Sequence, residues 1–378
     1  MKRDIPACIT RVLVNLYSNN LLRVSWGGIA TDYFSALNGV KQGAVLSPVL
    51  FCVYVDDLLI ALSQAGVGCF IGSTFVGALA YADDIVIMAP TASAMRKLLA
   101  ICENYAHEFC ISFNARKSKC MMVMPALDAK SRTLHRHLDE CIFHIEGAPI
   151  EFVHSVTHLG HLITSSLADD DDIEKCCGSF IGQVNNVFCY FRKLNSFTRY
   201  RLFRSYCTSY YGCELWSLEN RNIEKLCTAW RRGLRKVWNI PPQTHCYLLA
   251  MISNCRPLFD EICYRALKFV RKCVEHSSAL VRFVTLHSIT NATGFSVLGR
   301  NVSFCMHRYN VSFFEIINGR LRGIVHNYIQ NWYDTSMAAS ANLLTETLQL
   351  RDGLLTLPID QSLPLEDICD IIDFVCIM

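Results

Sequence analysis

Apolar and polar positions along this 378-residue chain change period several times, and each change marks an element. From Phe75 to Pro90, two runs of strand-forming residues (Phe75, Val76, Leu79 and Ile85, Val86, Ile87) flank the adjacent acids Asp83 and Asp84. Such runs around a polar turn predict a β-hairpin. Further upstream, Val49, Leu50, Val53, Leu58, Ala61 and Leu62 recur at spacings of three and four, which predicts a helix that Gly66 stops. Thr91 to Phe109 predicts a second helix, with Leu98, Leu99, Cys102, Tyr105, Ala106 and Phe109 on the face that packs behind the sheet. Ile5 to Tyr17 reads as a helix, and Trp26 to Phe34 as a hairpin. Residues 111–124 and 142–163 read as strands and turns, joined by a basic loop from Lys130 to His137.

After residue 165 the period becomes helical to about residue 275. The acidic run Asp169 to Asp172 precedes Ile173 and predicts a helix start, where carboxylates meet the positive end of the dipole; it lacks the spaced ligands and glycine of a calcium loop. Ile223, Leu226, Cys227, Trp230, Leu234, Val237 and Trp238 form an apolar stripe, which leaves Arg221, Lys225, Arg231, Arg232, Arg235 and Lys236 on other faces until Pro241-Pro242 ends the helix. Pro257 to Val274 repeats the arrangement with Arg265, Lys268, Arg271 and Lys272. His287 to Ser296 reads as a linker and Met337 to Leu350 as a further helix. The mixture predicts an α+β fold.

Composition narrows the picture. With 52% apolar residues the chain can bury a large core in two or three domains. The net charge of +3 says little, but its distribution is uneven. Residues 180–275 hold 16 Lys and Arg against 6 acids, whereas 334–378 hold 8 acids and one base, Arg351. Nucleic acid, if bound, would meet the middle. The 20 cysteines include no Cys-x-x-Cys pair, which argues against a zinc knuckle and for reduced thiols. No secretory signal opens the chain, and acids interrupt the longest apolar stretches, so the expected setting is intracellular, nuclear or cytoplasmic, without a membrane.

The chemistry begins with the paired acids. An ionised carboxylate taken out of water needs compensation, and Mg²⁺ is a hard ion that accepts one or two carboxylates with water and phosphate as its other ligands. Tyr54-Val55-Asp56-Asp57 has the same four-letter pattern as Tyr81-Ala82-Asp83-Asp84, but it falls on the predicted helix with its acids on a solvated face. The strand-flanked copy is the candidate metal site. Upstream, Gly39-Val40-Lys41-Gln42-Gly43-Ala44-Val45-Leu46-Ser47-Pro48 contains two glycines that permit close backbone approach and a proline suited to the first turn of a helix. A plain helix entry with Ser47 as its cap is the alternative.

This box, the Tyr-x-Asp-Asp hairpin, the segment Ile111 to Lys119 with Asn114 and Lys117, and His158-Leu159-Gly160 occur in an order and spacing that resemble the non-LTR (LINE-type) reverse transcriptases. A weaker similarity continues through Tyr211, Gly212, Glu214 and Trp216. The resemblance implies an RNA-directed DNA polymerase that uses RNA template, DNA primer, deoxynucleoside triphosphates and Mg²⁺ (or Mn²⁺). Asp83 and Asp84 would be catalytic metal ligands in a two-metal transfer, and Lys117 a proton donor to pyrophosphate. It also implies that Gln42, Gly43, Ser47 and Tyr81 contact nucleotide or template, and that His158, Leu159 and Gly160 grip the primer. The basic residues Arg231, Arg232, Arg235 and Lys236 would follow the nucleic-acid backbone.

The implied domains are an incomplete palm (1–125), a completing segment with the primer grip (126–165), a helical basic thumb (166–275) and a C-terminal helical region with an acidic tail (276–378). Family members carry a further metal-binding Asp on a strand several tens of residues before the box. Only 38 residues precede Gly39 here, and their acids, Asp4 and Asp32, lie in no such strand. The expectation is therefore a truncated chain that does not polymerise alone. The alternative is a non-catalytic, nucleic-acid-binding remnant of such a polymerase.

Overall fold

The computed structural model describes residues 5–18, 20–36, 39–41, 43–123, 142–291 and 293–352, with side chains as far as residue 339. The fold is α+β, with seven two-stranded sheets and a run of helices. It divides into two compact units, one of Met1–Cys120 with Pro125–Val153 and the other of Met121–Met124 with His154–Met378.

In the first unit α1 (Ala7–Tyr17) leads into β1 (Asn20–Leu22), β2 (Ser25–Trp26), β3 (Ile29–Ala30) and β4 (Phe34–Ala36), which form two nested antiparallel pairs. The helix and hairpin expected here are present, yet α1 buries no residue. Next come α2 (Ser47–Gln64), the hairpins β5 (Phe70–Ile71) with β6 (Thr74–Phe75) and β7 (Ala78–Tyr81) with β8 (Asp84–Ile87), and α3 (Ala92–Phe109). The Thr91 side chain caps α3 by accepting a hydrogen bond from the Ala94 N–H at 3.1 Å. Leu98, Cys102 and Tyr105 of α3 pack on Val55, Leu58 and Leu62 of α2, and Ala78, Ile85 and Ile87 of the hairpin lie against the same cluster. The Tyr105 hydroxyl donates to the Tyr54 carbonyl and the Tyr54 hydroxyl to that of Phe109, which locks the two helices in register. The strands β9 (Lys119–Cys120), β10 (His144–Ile145), β11 (Ala148–Pro149) and β12 (Glu151–Phe152) close the unit, with β9 and β12 paired in parallel.

Two expectations for α2 change. Its buried face runs through Val55, inside the first Tyr-x-Asp-Asp copy, while Val49 and Val53 of the expected stripe are exposed. By length and composition α2 is also apolar enough to cross a membrane, although no such segment was expected. It carries Asp56 and Asp57, and its fully buried Leu58 and Leu62 sit in the protein core against α3.

The second unit opens with the hairpin β13 (Ser155–His158) and β14 (His161–Thr164). The helices are α4 (Asp170–Tyr190), α5 (Ser196–Tyr206), α6 (Ile223–Trp238), α7 (Cys246–Ile252), α8 (Leu258–Val274), α9 (Ala279–Thr290), α10 (Val297–Tyr309), α11 (Phe313–Asn318) and α12 (Leu321–Asp352), with a short 3₁₀ turn at Cys213–Leu215. Acids in its first turn and bases in its last suit α8 to the helix dipole, and its buried face holds Leu258, Ile262, Cys263, Leu267 and Val270. It packs against α6, α9, α10, α11 and α12.

One core extends from Ile173 to Tyr333, so the residues on either side of the expected 275/276 boundary share it. The buried Asp260 accepts from Arg308 Nε at 3.0 Å and from the Tyr309 hydroxyl at 2.9 Å, tying α8 to α10. The expected linker from His287 is helical as far as Thr290, and the expected helix at Met337 is part of α12, which starts at Leu321. The basic loop Lys130 to His137 and most of the acidic tail lie outside the described residues. The described cysteines are all free, and burial pushes the Cys102 and Cys227 thiols up to about 12.

Replacing Asp260 by Ala leaves the half-buried Arg308 guanidinium and the Tyr309 hydroxyl without their carboxylate and should cost about 3 kcal/mol in urea unfolding. A loss under about 1 kcal/mol would show that the pair contributes no more than a surface bridge.

Candidate functional site

The Tyr81-Ala82-Asp83-Asp84 sequence forms the tip of the β7–β8 hairpin, with Tyr81 paired to Asp84 across a two-residue turn. Ala82 takes a left-handed backbone at φ +52°, a conformation that usually falls to glycine and stores about 1–2 kcal/mol. Tyr81, Asp83 and Asp84 are all exposed. The expectation that the pair is drawn out of water is thereby corrected, because no desolvation cost compels a cation here.

As donors, two adjacent exposed carboxylates suit a single hard cation that takes its remaining ligands from water and phosphate. Among the described residues no group of three or more His, Cys, Asp or Glu converges as a metal site, so a second metal would need a carboxylate beyond these two.

In the box before α2, Gly39 and Gly43 adopt φ of +102° and +80°, and a Cβ at either residue would meet no atom within 4 Å. Within the chain they supply backbone conformation and no close approach. Ser47 is buried, and its hydroxyl donates to the Lys41 carbonyl at 2.5 Å. It pins the box onto the helix start instead of capping α2. Pro48 occupies the first turn as expected. Gln42 lies outside the described residues. Lys117 is exposed, and its backbone N–H is held by Asn114 in a turn.

In the second unit His158-Leu159-Gly160 makes the turn of the β13–β14 hairpin, with Leu159 at φ +48° and Gly160 at φ +83°. Both turn carbonyls are bonded: the Tyr211 hydroxyl donates to Leu159 at 2.8 Å and Lys175 Nζ to Gly160 at 3.1 Å. Below the turn, the buried Asp172 accepts from the Leu162 N–H at 2.8 Å and from Trp216 Nε1 at 2.8 Å. His161 Nδ1 stands 3.0 Å from the same carboxylate without hydrogen-bond geometry. A Cβ on Gly212 would come within 2.9 Å of that nitrogen, so only glycine lets the loop close over His161. Asp169 accepts from the Ser217 N–H at 2.7 Å, and burial pushes its carboxyl up. The acidic run starts α4 as expected, but its further role as a tertiary anchor carries no mark in the sequence. Tyr211 and Trp216, by contrast, stand in a motif already noted.

The basic helices are less free than their sequence suggests. On α6, Arg231 pairs with Glu224 and Arg235 donates to the Thr244 carbonyl at 2.8 Å, while Arg232 and Lys236 are exposed. On α8, Arg265 pairs with Glu261 and Arg271 holds the carbonyls of Ile316 and Gly319, whereas Lys268 and Lys272 are exposed.

Comparison with known proteins gives a consistent picture. Residues 3–163 match the family "Reverse transcriptase (RNA-dependent DNA polymerase)". The chain is 25% identical over 160 residues to the retrovirus-related Pol polyprotein from type-1 retrotransposable element R2 of Nasonia vitripennis, covering 42% of this chain and 15% of that protein. It is 38% identical over 107 residues to the corresponding R2 polyprotein of Popillia japonica (28% and 15%). To that of type-2 element R2DM of Drosophila melanogaster it is 35% identical over 85 residues (22% and 8%). The chain thus matches only a small part of each relative's length.

Ala82→Gly should relieve the left-handed strain and raise stability by about 1 kcal/mol, read from the thermal midpoint. A fall in stability would show that the alanine methyl makes contacts worth more than the strain.

Proposed function

We propose that this chain is part of an RNA-directed DNA polymerase of the non-LTR retrotransposon type, because residues 3–163 match the reverse-transcriptase family and the chain is similar to R2 polyproteins. Residues 1–125 then correspond to an incomplete palm, with residues 126–165 completing it, residues 166–275 to a thumb, and 276–378 to a C-terminal helical region. The observation that carries the reading is the strained, exposed turn that presents Asp83 and Asp84 side by side at the end of a hairpin braced on α2 and α3.

A divalent cation bound there would neutralise charge on the transferring phosphate. Asp83 and Asp84 would hold it, and Tyr81, 67% exposed beside them, offers a ring face to substrate. Ser47 acts indirectly, by fixing the box whose Gln42 and Gly43 meet the nucleotide or template. Lys117 is placed in solvent reach to give a proton to pyrophosphate. In the second unit, the backbone of His158 to Gly160 meets the primer while Tyr211 and Lys175 keep its carbonyls in place. The two-metal form of the reaction requires one more carboxylate than this turn provides, and we propose that activity depends on its being supplied.

A second reading, a non-catalytic nucleic-acid-binding protein, is favoured by one observation: no third acidic ligand stands at the turn among the described residues. Primer extension on an RNA template with Mg²⁺ separates the two, with the chain run beside an Asp83→Asn, Asp84→Asn variant. The polymerase reading expects any incorporation to fall at least ~100-fold in the variant. Incorporation that survives the double substitution rejects Asp83 and Asp84 as the metal ligands. No incorporation by either protein, with salt-sensitive duplex binding kept by both, decides for the second reading.

A further inference from the structure

Lys268 and Lys272 are four residues apart on the exposed face of α8, and Arg322 and His326 are four apart on α12. With Arg320 and Tyr264 they line one concavity of about 700 Å³. No carboxylate lines it. Among the described residues, the side chains of Lys268, Lys272, Arg320 and Arg322 have no hydrogen-bond or ion-pair partner.

The neighbouring acids are already committed, Glu261 to Arg256 and Arg265 and Asp260 to Arg308. Arg271 lies at the same wall but has a structural task, since it donates to the Ile316 and Gly319 carbonyls and closes the turn that presents Arg320. Like charges at i and i+4 oppose helix formation, and this groove sets the Lys268–Lys272 pair against Arg320 and Arg322. Folding gains nothing from that arrangement. A polyanion would.

Lys268 and Lys272 also line an adjoining cavity of about 620 Å³ with Leu159, Tyr211 and Phe269, where the carboxylates are Glu261, held by Arg256 and Arg265, and Glu214. Tyr211 is 65% exposed there. The cationic surface therefore runs from the β13–β14 turn across α8 to the start of α12, with an open aromatic ring at one end. Cations along a groove with exposed aromatics are what a single strand needs: charge for the phosphates and a π-face for a base.

We propose that this groove binds a nucleic-acid single strand, with Lys268, Lys272, Arg320 and Arg322 on its phosphates and Tyr211 beneath a base. The inference does not rest on the reading of Asp83 and Asp84, and it gives residues beyond 275 a role that the sequence left blank.

The test is fluorescence anisotropy of a labelled ~20-nucleotide oligouridine with the full chain, at salt from about 50 to about 200 mM. The fourfold variant Lys268→Ala, Lys272→Ala, Arg320→Ala, Arg322→Ala is expected to bind at least ~10-fold more weakly, with its log–log salt slope shallower by about 2 to 3. The reference variant Arg192→Ala, Lys193→Ala, two exposed bases between α4 and α5, should lose less than ~3-fold of single-strand affinity. A deoxyribo-oligonucleotide run in parallel tells which strand the groove holds. Unchanged affinity and slope in the fourfold variant overturn the proposal, as does a duplex or a polyglutamate peptide that binds the groove as tightly as the single strand. If the fourfold variant loses the native circular dichroism, Lys272→Ala and Arg320→Ala alone should each weaken binding ~2-fold or more, and no change in either has the same overturning force.

Discussion

The organisation of the helical unit depends on a carboxylate that must not be left unpaired. Asp172 is 4% exposed in the first turn of α4, where the helix dipole favours its charge. Burying it is tolerable only with good hydrogen bonds, and the chain provides two from distant segments, the Leu162 N–H of β14 and the Trp216 indole. One side chain thus joins hairpin, helix and loop. Trp216 is itself fully buried, and its carbonyl accepts from Asn301 of α10 at 2.8 Å. Asn301 in turn accepts from the Leu218 N–H, so the chain of bonds reaches from the 158–160 turn into the C-terminal helices. This is why the core does not break at residue 275.

Much of this was legible. The strand-forming runs around Asp83 and Asp84 became β7 and β8, although Phe75 falls in β6, and the stripe from Ile223 to Val237 became the buried face of α6, because its period matched that of the helix that buries it. The order of motifs carried a resemblance to the reverse transcriptases, the family that residues 3–163 match. Charge was harder to read. Arg231, Arg235, Arg265 and Arg271 looked like a face for nucleic acid, yet each spends its guanidinium within the protein. A sequence shows that a base is present and not which carbonyl it meets. The same limit hid the groove, since Lys272 and Arg320 are brought together only by the turn that Arg271 closes. The solvent exposure of Asp83 and Asp84 was likewise unreadable, because it depends on how far the hairpin tip projects from α2 and α3.

The two units present complementary chemistry. The first offers hard oxygen donors on a strained tip, and the second offers fixed backbone carbonyls, a concavity lined by lysines and arginines without an acid, and an exposed aromatic ring in the cavity beside it. The central claim is that the Asp83–Asp84 tip is a cation site. It is tested most directly by adding Mn²⁺ to isotope-labelled protein and following paramagnetic broadening of the backbone amides. The account predicts that resonances from Tyr81 to Ile85 broaden first and are spared in the Asp83→Asn, Asp84→Asn variant. Broadening that is absent at the tip, or unchanged by the double substitution, would contradict it.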